Sequence, residues 1–344
     1  MRILLLLDGM NGVSFHRLYT PYVKIQIDYG ITVDVSVDQN EWADLPFEKY
    51  DCVVFNRWLG RLQYNILPVL AKKKIPFIVD IDDYWVIPKH NPAYKFYRAY
   101  IKNGIKDSLH YADAVMVTTP QLEEKVKEFN QNVTIIPNAL DLNQSQWKAE
   151  TEHPFTIGWV GGLSHTEDLK LLTDKIKPIC EEYGARFLMC GFHENVPDWA
   201  TMEKAITGEP RHKRPEWFET RVGTKANEFG KYYSEIDICI APLLPTKFNR
   251  YKSELKILEA AAYKLPIFVS AVEPYTNHRD NLGCFFVENN DWSEIGKLIK
   301  SDKVKEVGEI NYHYCKQHHD LDTINKKRVD LCDRDWETDR KSVV

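Results

Sequence analysis

Residues 248–270 read FNRYKSELKILEAAAYKLPIFVS. Leu255, Ile257, Leu258, Ala260, Ala261 and Ala262 are small or apolar, and the apolar run Pro266–Ser270 follows closely. The pattern predicts a buried helix that feeds a buried strand. Glu259 lies among those residues and shares the face of Leu255 and Ala262, its i−4 and i+3 neighbours. An ionised carboxylate on such a face is costly unless something pairs with it. The sheet this unit joins decides the fold, and the partner of Glu259 bears on the function.

The same alternation extends in both directions. Towards the N-terminus, Ile3–Leu7, Thr32–Val37, Cys52–Phe55, Phe77–Ile81, Ala114–Thr118 and Thr134–Ile136 read as strands. Helix-like patterns near 14–29, 63–73, 93–111 and 120–129 separate them. A second series contains Phe155–Val160, Arg186–Cys190, Ile236–Ala241, Pro266–Ser270 and Cys284–Val287, with helical stretches near 166–183, 226–234, 253–263 and 292–300. Alternating strand and helix predicts parallel sheets with helices on both faces. The polar stretch LNQSQWKAETEHP, 142–154, carries no apolar period and divides the chain into two α/β halves. A length of 344 residues also favours two cores over one. Ligands of such sheets sit beyond the C-terminal strand ends, so the expected site is a cleft between two facing domains.

Composition narrows the function classes. The chain is 44% hydrophobic and 28% charged, as expected of a globular protein. A net charge of −5 gives no electrostatic reason to expect nucleic acid. The basic run Arg211–Arg214 reads as a solvated loop. The seven cysteines are odd in number, form no C-x-x-C pair and lie partly in apolar runs, which predicts reduced, buried thiols and a cytoplasmic setting. The run MRILLLLDGMNG reads as a first strand, because four leucines meet Asp8 too soon for a signal-peptide core. No segment has the apolar length needed to span a bilayer. Thr338–Val344 can be encoded by ACAGATCGGAAGAGCGTCGTG, which contains the start of a widely used sequencing adapter. The expectation is that 338–344 is a non-native tail; the same codons in independent genomic clones would overturn it.

Chemistry gathers at strand ends. Gly158-Trp159-Val160-Gly161-Gly162 closes a strand, and Ser164 and His165 then open a helix. Glycines there admit close backbone approach, and a helix start favours an anion such as a diphosphate. The spacing is not G-x-G-x-x-G, which disfavours an NAD-dependent oxidoreductase; a simple tight turn with Ser164 as helix cap is the plainer reading. Asp8–Gly12 repeats the logic after the first strand, with His16 and Arg17 just beyond. Arg17 has two readings, a phosphate contact or a surface cap. Asp80, Asp82 and Asp83, followed by Tyr84 and Trp85, end another strand. Their carboxylates suit a hard cation, sugar hydroxyls beside stacking aromatics, or an acidic turn. Asn249, Arg250, Lys252 and Ser253 lead into the Glu259 helix; Lys252 is placed to face phosphate, and Ser253 to cap the helix.

Together these residues resemble a GT-B glycosyltransferase of the retaining, glycogen-synthase-like group, family 4. The resemblance rests on NGVSFHRLYTPY, IVDIDDYW, ADAVMVTTPQL and TIIPNALD in the first half. In the second it rests on TIGWVGGLSHTEDL, the 236–270 stretch and DLDTINKKR. It implies two facing Rossmann-like domains, an acceptor domain at 1–145 and a nucleotide-sugar donor domain at 153–312, and a helical segment at 313–335 crossing back to the first. It further implies donor contacts from Gly161, Gly162, Ser164, His165, Asn249, Arg250, Tyr251, Lys252, Ser253 and Glu259. Acceptor contacts fall to Gly12, His16, Arg17, Asp80 and Trp85, and catalytic roles to Asp82, Asp83 and Lys252. Glu259 matches the second glutamate of the family's donor motif, whereas the first falls on Tyr251. The usual Arg/Lys pair for the diphosphate is absent from GGLSHTEDL, leaving Lys252, Arg250 or His165 to substitute. The family implies no bound metal or other cofactor, retention of configuration, and a glycan or lipid-linked acceptor used in polysaccharide biosynthesis, with peripheral membrane contact where the acceptor is a lipid. The rival readings are an inactive sugar-binding homologue and a sugar-nucleotide epimerase of the same fold.

Overall fold

The computed structural model describes residues 1–89, 91 and 94–336. The chain forms two compact units. One comprises Met1–Asp141, Tyr251–Ser253 and the chain from His319 on; the other comprises Leu142–Arg250 and Glu254–His318. The 338–344 tail lies outside the described residues.

The first unit is built on β1 (Arg2–Leu6), β2 (Thr32–Ser36), β3 (Cys52–Asn56), β4 (Phe77–Ile81), β5 (Ala114–Val117) and β6 (Val133–Ile135). They form one parallel sheet in the order β2-β1-β3-β4-β5-β6. Every residue of β4 and β5 is buried, which is why these strands read as unbroken apolar runs. The helix Leu321–Cys332 belongs to this unit. Asp320 caps it by accepting from the Thr323 backbone N–H at 3.1 Å. Its Leu321, Ile324, Leu331 and Cys332 join a core containing Ile3, Leu5, Leu18 and Tyr22.

The second unit is built on β7 (Thr156–Val160), β8 (Arg186–Phe192), β9 (Phe218–Val222), β10 (Ile238–Ala241), β11 (Ile267–Ser270) and β12 (Cys284–Val287). Its parallel sheet runs β12-β11-β10-β7-β8-β9. The strand order reverses between β7 and β10, the switch point at which doubly wound sheets bind ligands beyond their strand ends. The opening stretch supplies the helix Leu255–Ala262 and β11. Lys264 makes the turn between them with a φ of 56°.

Four elements differ from the sequence reading. The strand β9 and the helices Pro197–Thr207 and Val304–His318 were not anticipated. β9 is an edge strand with one fully buried residue, Phe218, so it lacks the apolar run of a central strand. The expected helix over 166–183 is broken: Thr166–Leu169 and Ile176–Tyr183 are separated by a turn in which Asp174 takes a φ of 57°. All seven cysteines are buried and free. No described helix is long and apolar enough to cross a membrane.

Candidate functional site

In the second unit the chemistry gathers where β7 and β10 end. Gly161 and Gly162 leave β7 for a single 3-10 turn, Leu163–His165. A side chain at Gly161 would collide with the Trp159 ring, whereas a Cβ on Gly162 would meet nothing within 4 Å. Gly162 is therefore not required by packing. Close approach is required at Gly191, whose Cβ would lie 2.0 Å from the Gly161 carbonyl oxygen and whose φ is +94°. The turn runs into only the four residues Thr166–Leu169, too short for an appreciable macrodipole. Ser164 makes no capping hydrogen bond there, because the chain is already turning when it reaches Ser164.

Side chains knit this turn to the loop after β10. Asp168 is 3% exposed. Its Oδ2 lies 2.9 Å from Nδ1 of His165, and its Oδ1 accepts from the Leu244 backbone N–H and the Asn249 side-chain amide, each at 2.9 Å. His165 also rests edge-on against the Trp159 ring, with centroids 6.1 Å apart. Asn249 donates a second hydrogen bond to the Leu244 carbonyl, and Arg250 pairs with Glu273 at 2.8 Å.

Glu259 is 1% exposed, which excludes a solvent-facing role. Its Oε2 accepts from the Tyr233 hydroxyl at 2.5 Å and from Lys256 Nζ at 2.8 Å. Lys256 lies one helical turn earlier, so the pair is local. Burial and the neighbouring Glu259 charge push the Tyr233 hydroxyl well above its ordinary pKa, which suits it to donate to the carboxylate. These two donors are what Glu259 holds within the protein. Ser253 does not cap the helix: the cap position is Glu254. Ser253 instead accepts from the Asn138 amide at 2.7 Å.

The first unit places its candidates differently. Asp80 is fully buried, and Arg17 is 2% exposed. The Arg17 guanidinium grips Asp80 through Nε and Nη2, the shortest contact being 2.5 Å, and reaches the Ile136 carbonyl and Asn138 through Nη1. Both side chains are thus engaged within this unit, and Arg17 is not a surface cap. Trp85, 2% exposed, packs on Phe129 and Tyr84, so it offers no open face to a sugar. Asp82 is held by Arg57 through two hydrogen bonds of 2.8 Å. Burial works against its carboxylate, but the Arg57 charge and hydrogen bonds outweigh it, helped by Asn56, and hold the carboxyl below its ordinary pKa. Asp83, 3.7 Å from Arg57, has a side chain 30% exposed and is the most open of the three aspartates. Gly12 is exposed and His16 half-buried against Phe15. Tyr251 lies in this unit, its ring 4.6 Å from that of Tyr84. Lys252 is half-buried.

Arg57, Asn56, Asn138, Asp168, Lys256 and Tyr233 escaped the sequence reading. Only Lys256 and Asp168 carried a local signal, the three-residue spacing to Glu259 and His165. The others meet their partners across 24 or more residues.

Comparison with known proteins agrees with this architecture. Residues 154–301 match the family model described as Glycosyl transferases group 1. A glycosyltransferase from Rickettsia africae superimposes with a TM-score of 0.63 at 15% identity, covering 96% of this chain and 97% of that one. Sucrose-phosphate synthase from Thermosynechococcus elongatus gives a TM-score of 0.65 at 13% identity, over 96% and 98% of the two chains. The fold is that of the GT-B glycosyltransferases. An Escherichia coli trehalose-6-phosphate protein solved with UDP-2-fluoro glucose gives 0.62 at 9% identity, over 97% and 99%. No curated protein matches the chain in sequence. The group 1 match contains β7 to β12 and the cluster around Asp168 and Glu259.

Proposed function

We propose that the protein transfers a sugar from a nucleoside-diphosphate donor to a glycan or lipid-linked acceptor, with retention of configuration and without an essential metal or other cofactor. The observation that carries this reading is the arrangement at the β7/β10 switch point. An open glycine turn at Gly162 and the Asn249 loop are fastened together there by Asp168. The buried carboxylate Glu259 lies on the helix that follows that loop. Gly162 admits a diphosphate to the backbone, and His165 supplies positive charge. Glu259 accepts from ribose hydroxyls through Oε1, the oxygen not engaged by Tyr233 and Lys256.

In the reaction an acceptor oxygen attacks the anomeric carbon from the face that the diphosphate leaves. The carbon–oxygen bond to the β-phosphate breaks, and the acceptor proton passes to the departing phosphate oxygen. No protein nucleophile is needed. Asp83 hydrogen-bonds an acceptor hydroxyl, and Asp82 holds Arg57 in place beside it. Polysaccharide assembly in the cytoplasm, with peripheral membrane contact where the acceptor is a lipid, is the setting this reading favours.

The test is a screen of nucleotide sugars for released nucleoside diphosphate, with and without glycan acceptors, in buffer and in excess chelator. Acceptor-dependent release that survives chelation supports the proposal. Release restored only by one divalent ion overturns its metal-free part. Tyr251, which replaces the motif glutamate and packs at a tilt against Tyr84, favours one second reading, an inactive binding homologue. Nucleotide binding without release under any condition would establish that reading instead.

A further inference from the structure

The donor site has no Arg/Lys pair in the turn after β7, and the helix that follows is one turn long. Something else must meet the charge of a diphosphate. Asp168 is a buried carboxylate, and an unpaired one would be strongly unfavourable. Its hydrogen bonds run to two elements: His165 in the turn after β7, and Leu244 and Asn249 in the loop after β10. It therefore does two things at once. It fixes the loop relative to the turn, and it holds the imidazole through Nδ1. A histidine held through Nδ1 by a carboxylate presents Nε2 as its other hydrogen-bonding atom, and the carboxylate favours the doubly protonated ring. The Trp159 ring, edge-on at 6.1 Å, limits how far the imidazole can swing.

We propose that Asp168 is a positioning residue of the donor site, and that it holds His165 as the cation that binds the donor diphosphate in place of the missing Arg/Lys pair. This rests on the donor reading above. His165 touches the phosphate; Asp168 acts through it. No covalent step is involved: the imidazolium donates a hydrogen bond from Nε2 to a phosphate oxygen and keeps its proton. Titratable groups around the pair are the Glu167–Lys170 ion pair on the same turn and the neutral Tyr275, whose hydroxyl is raised first by burial and then by Asp168.

A double-mutant cycle tests the proposal, with uridine, guanosine, adenosine, cytidine and thymidine diphosphates as probes and calorimetry as the readout. His165→Gln and Asp168→Asn are each expected to weaken the best-bound diphosphate about tenfold, the difference between a charged and a neutral hydrogen bond. Asn keeps an oxygen for Leu244 and Asn249, so the fold should survive, as checked by thermal melting. The double variant should bind as each single variant does, because both lose the same charge. In the wild-type complex, side-chain nitrogen NMR should show both His165 ring nitrogens protonated, and in Asp168→Asn a neutral ring. If Asp168→Asn costs as much in the His165→Gln background as in the wild type, Asp168 is a structural tie and the proposal falls. Wild-type affinity in His165→Gln would overturn it too, leaving the donor reading intact. Failure of wild-type protein to bind any of the five diphosphates would overturn both.

Discussion

Glu259 shows how an internal partner changes an expectation. A carboxylate on an apolar helix face is a liability when alone, and its neutralisation would then leave stability unchanged or raise it. Here Tyr233 and Lys256 both donate to it. Glu259→Gln is therefore expected to lower stability by roughly 1.5–3 kcal/mol, one charge-assisted hydrogen bond, as measured by denaturant unfolding. It should also weaken nucleoside-diphosphate binding about tenfold. Undiminished affinity in the folded variant would reduce Glu259 to a purely structural carboxylate. Gly162 has the opposite character. Nothing lies within 4 Å of a Cβ there, so Gly162→Val should melt within a degree or two of wild type, by the usual size of surface substitutions. It should still obstruct phosphate approach to the backbone. A variant that melts far lower would show a packing role, and one that binds diphosphate normally would remove the turn from the donor site.

At the scale of elements, the first unit is stitched together by two Arg–Asp pairs, one buried and one half-buried. Arg17, in the helical segment Ser14–Tyr19 that follows β1, grips Asp80 at the end of β4. Breaking such a pair on one side leaves a buried charge, so Asp80→Ala should cost about 3–5 kcal/mol. Replacing both partners with apolar residues should recover much of that loss. Equal costs for the single and double variants, measured by chemical denaturation, would contradict this account. Arg57, at the end of β3, holds Asp82, whose folded-state carboxyl is depressed. A depressed carboxyl stabilises the fold above its unfolded pKa, about 3.9 for Asp, and the contribution disappears as pH falls through the folded value. Melting curves of wild type and Asp82→Asn should therefore differ at neutral pH and converge in acid. Neither pair was legible in the sequence. Arg17 and Asp80 are 63 residues apart, and nothing in either segment names the other. The central strands were legible, because a strand buried on both faces must be apolar throughout. β9, an edge strand, was not.

At the scale of the whole molecule, the chain from His319 on returns to the first unit. Leu321, Ile324 and Leu331 are each no more than 3% exposed in that unit's core. Burying each stabilises by about 1.5–3 kcal/mol, so deleting the chain from His319 on should destabilise the first unit selectively. Hydrogen exchange should show protection lost across β1 to β6 and retained in β7 to β12. A uniform loss across both units would mean that they unfold as one cooperative body.

The sequence by itself determined the two parallel sheets, the glycine turn after β7 and the burial of Glu259. Each follows from a local pattern: apolar runs, paired glycines, a helical apolar stripe. The tertiary structure alone decided which polar groups answer one another across the fold. It joined Arg17 to Asp80, Arg57 to Asp82, Asn138 to Ser253 and Asp168 to Asn249. It also turned Trp85 inward and packed Tyr251 against Tyr84. The reason is physical. Burial is specified residue by residue through hydrophobicity, but a buried charge is satisfied by whatever group the topology brings within hydrogen-bond distance, and for these pairs that group lies far along the chain.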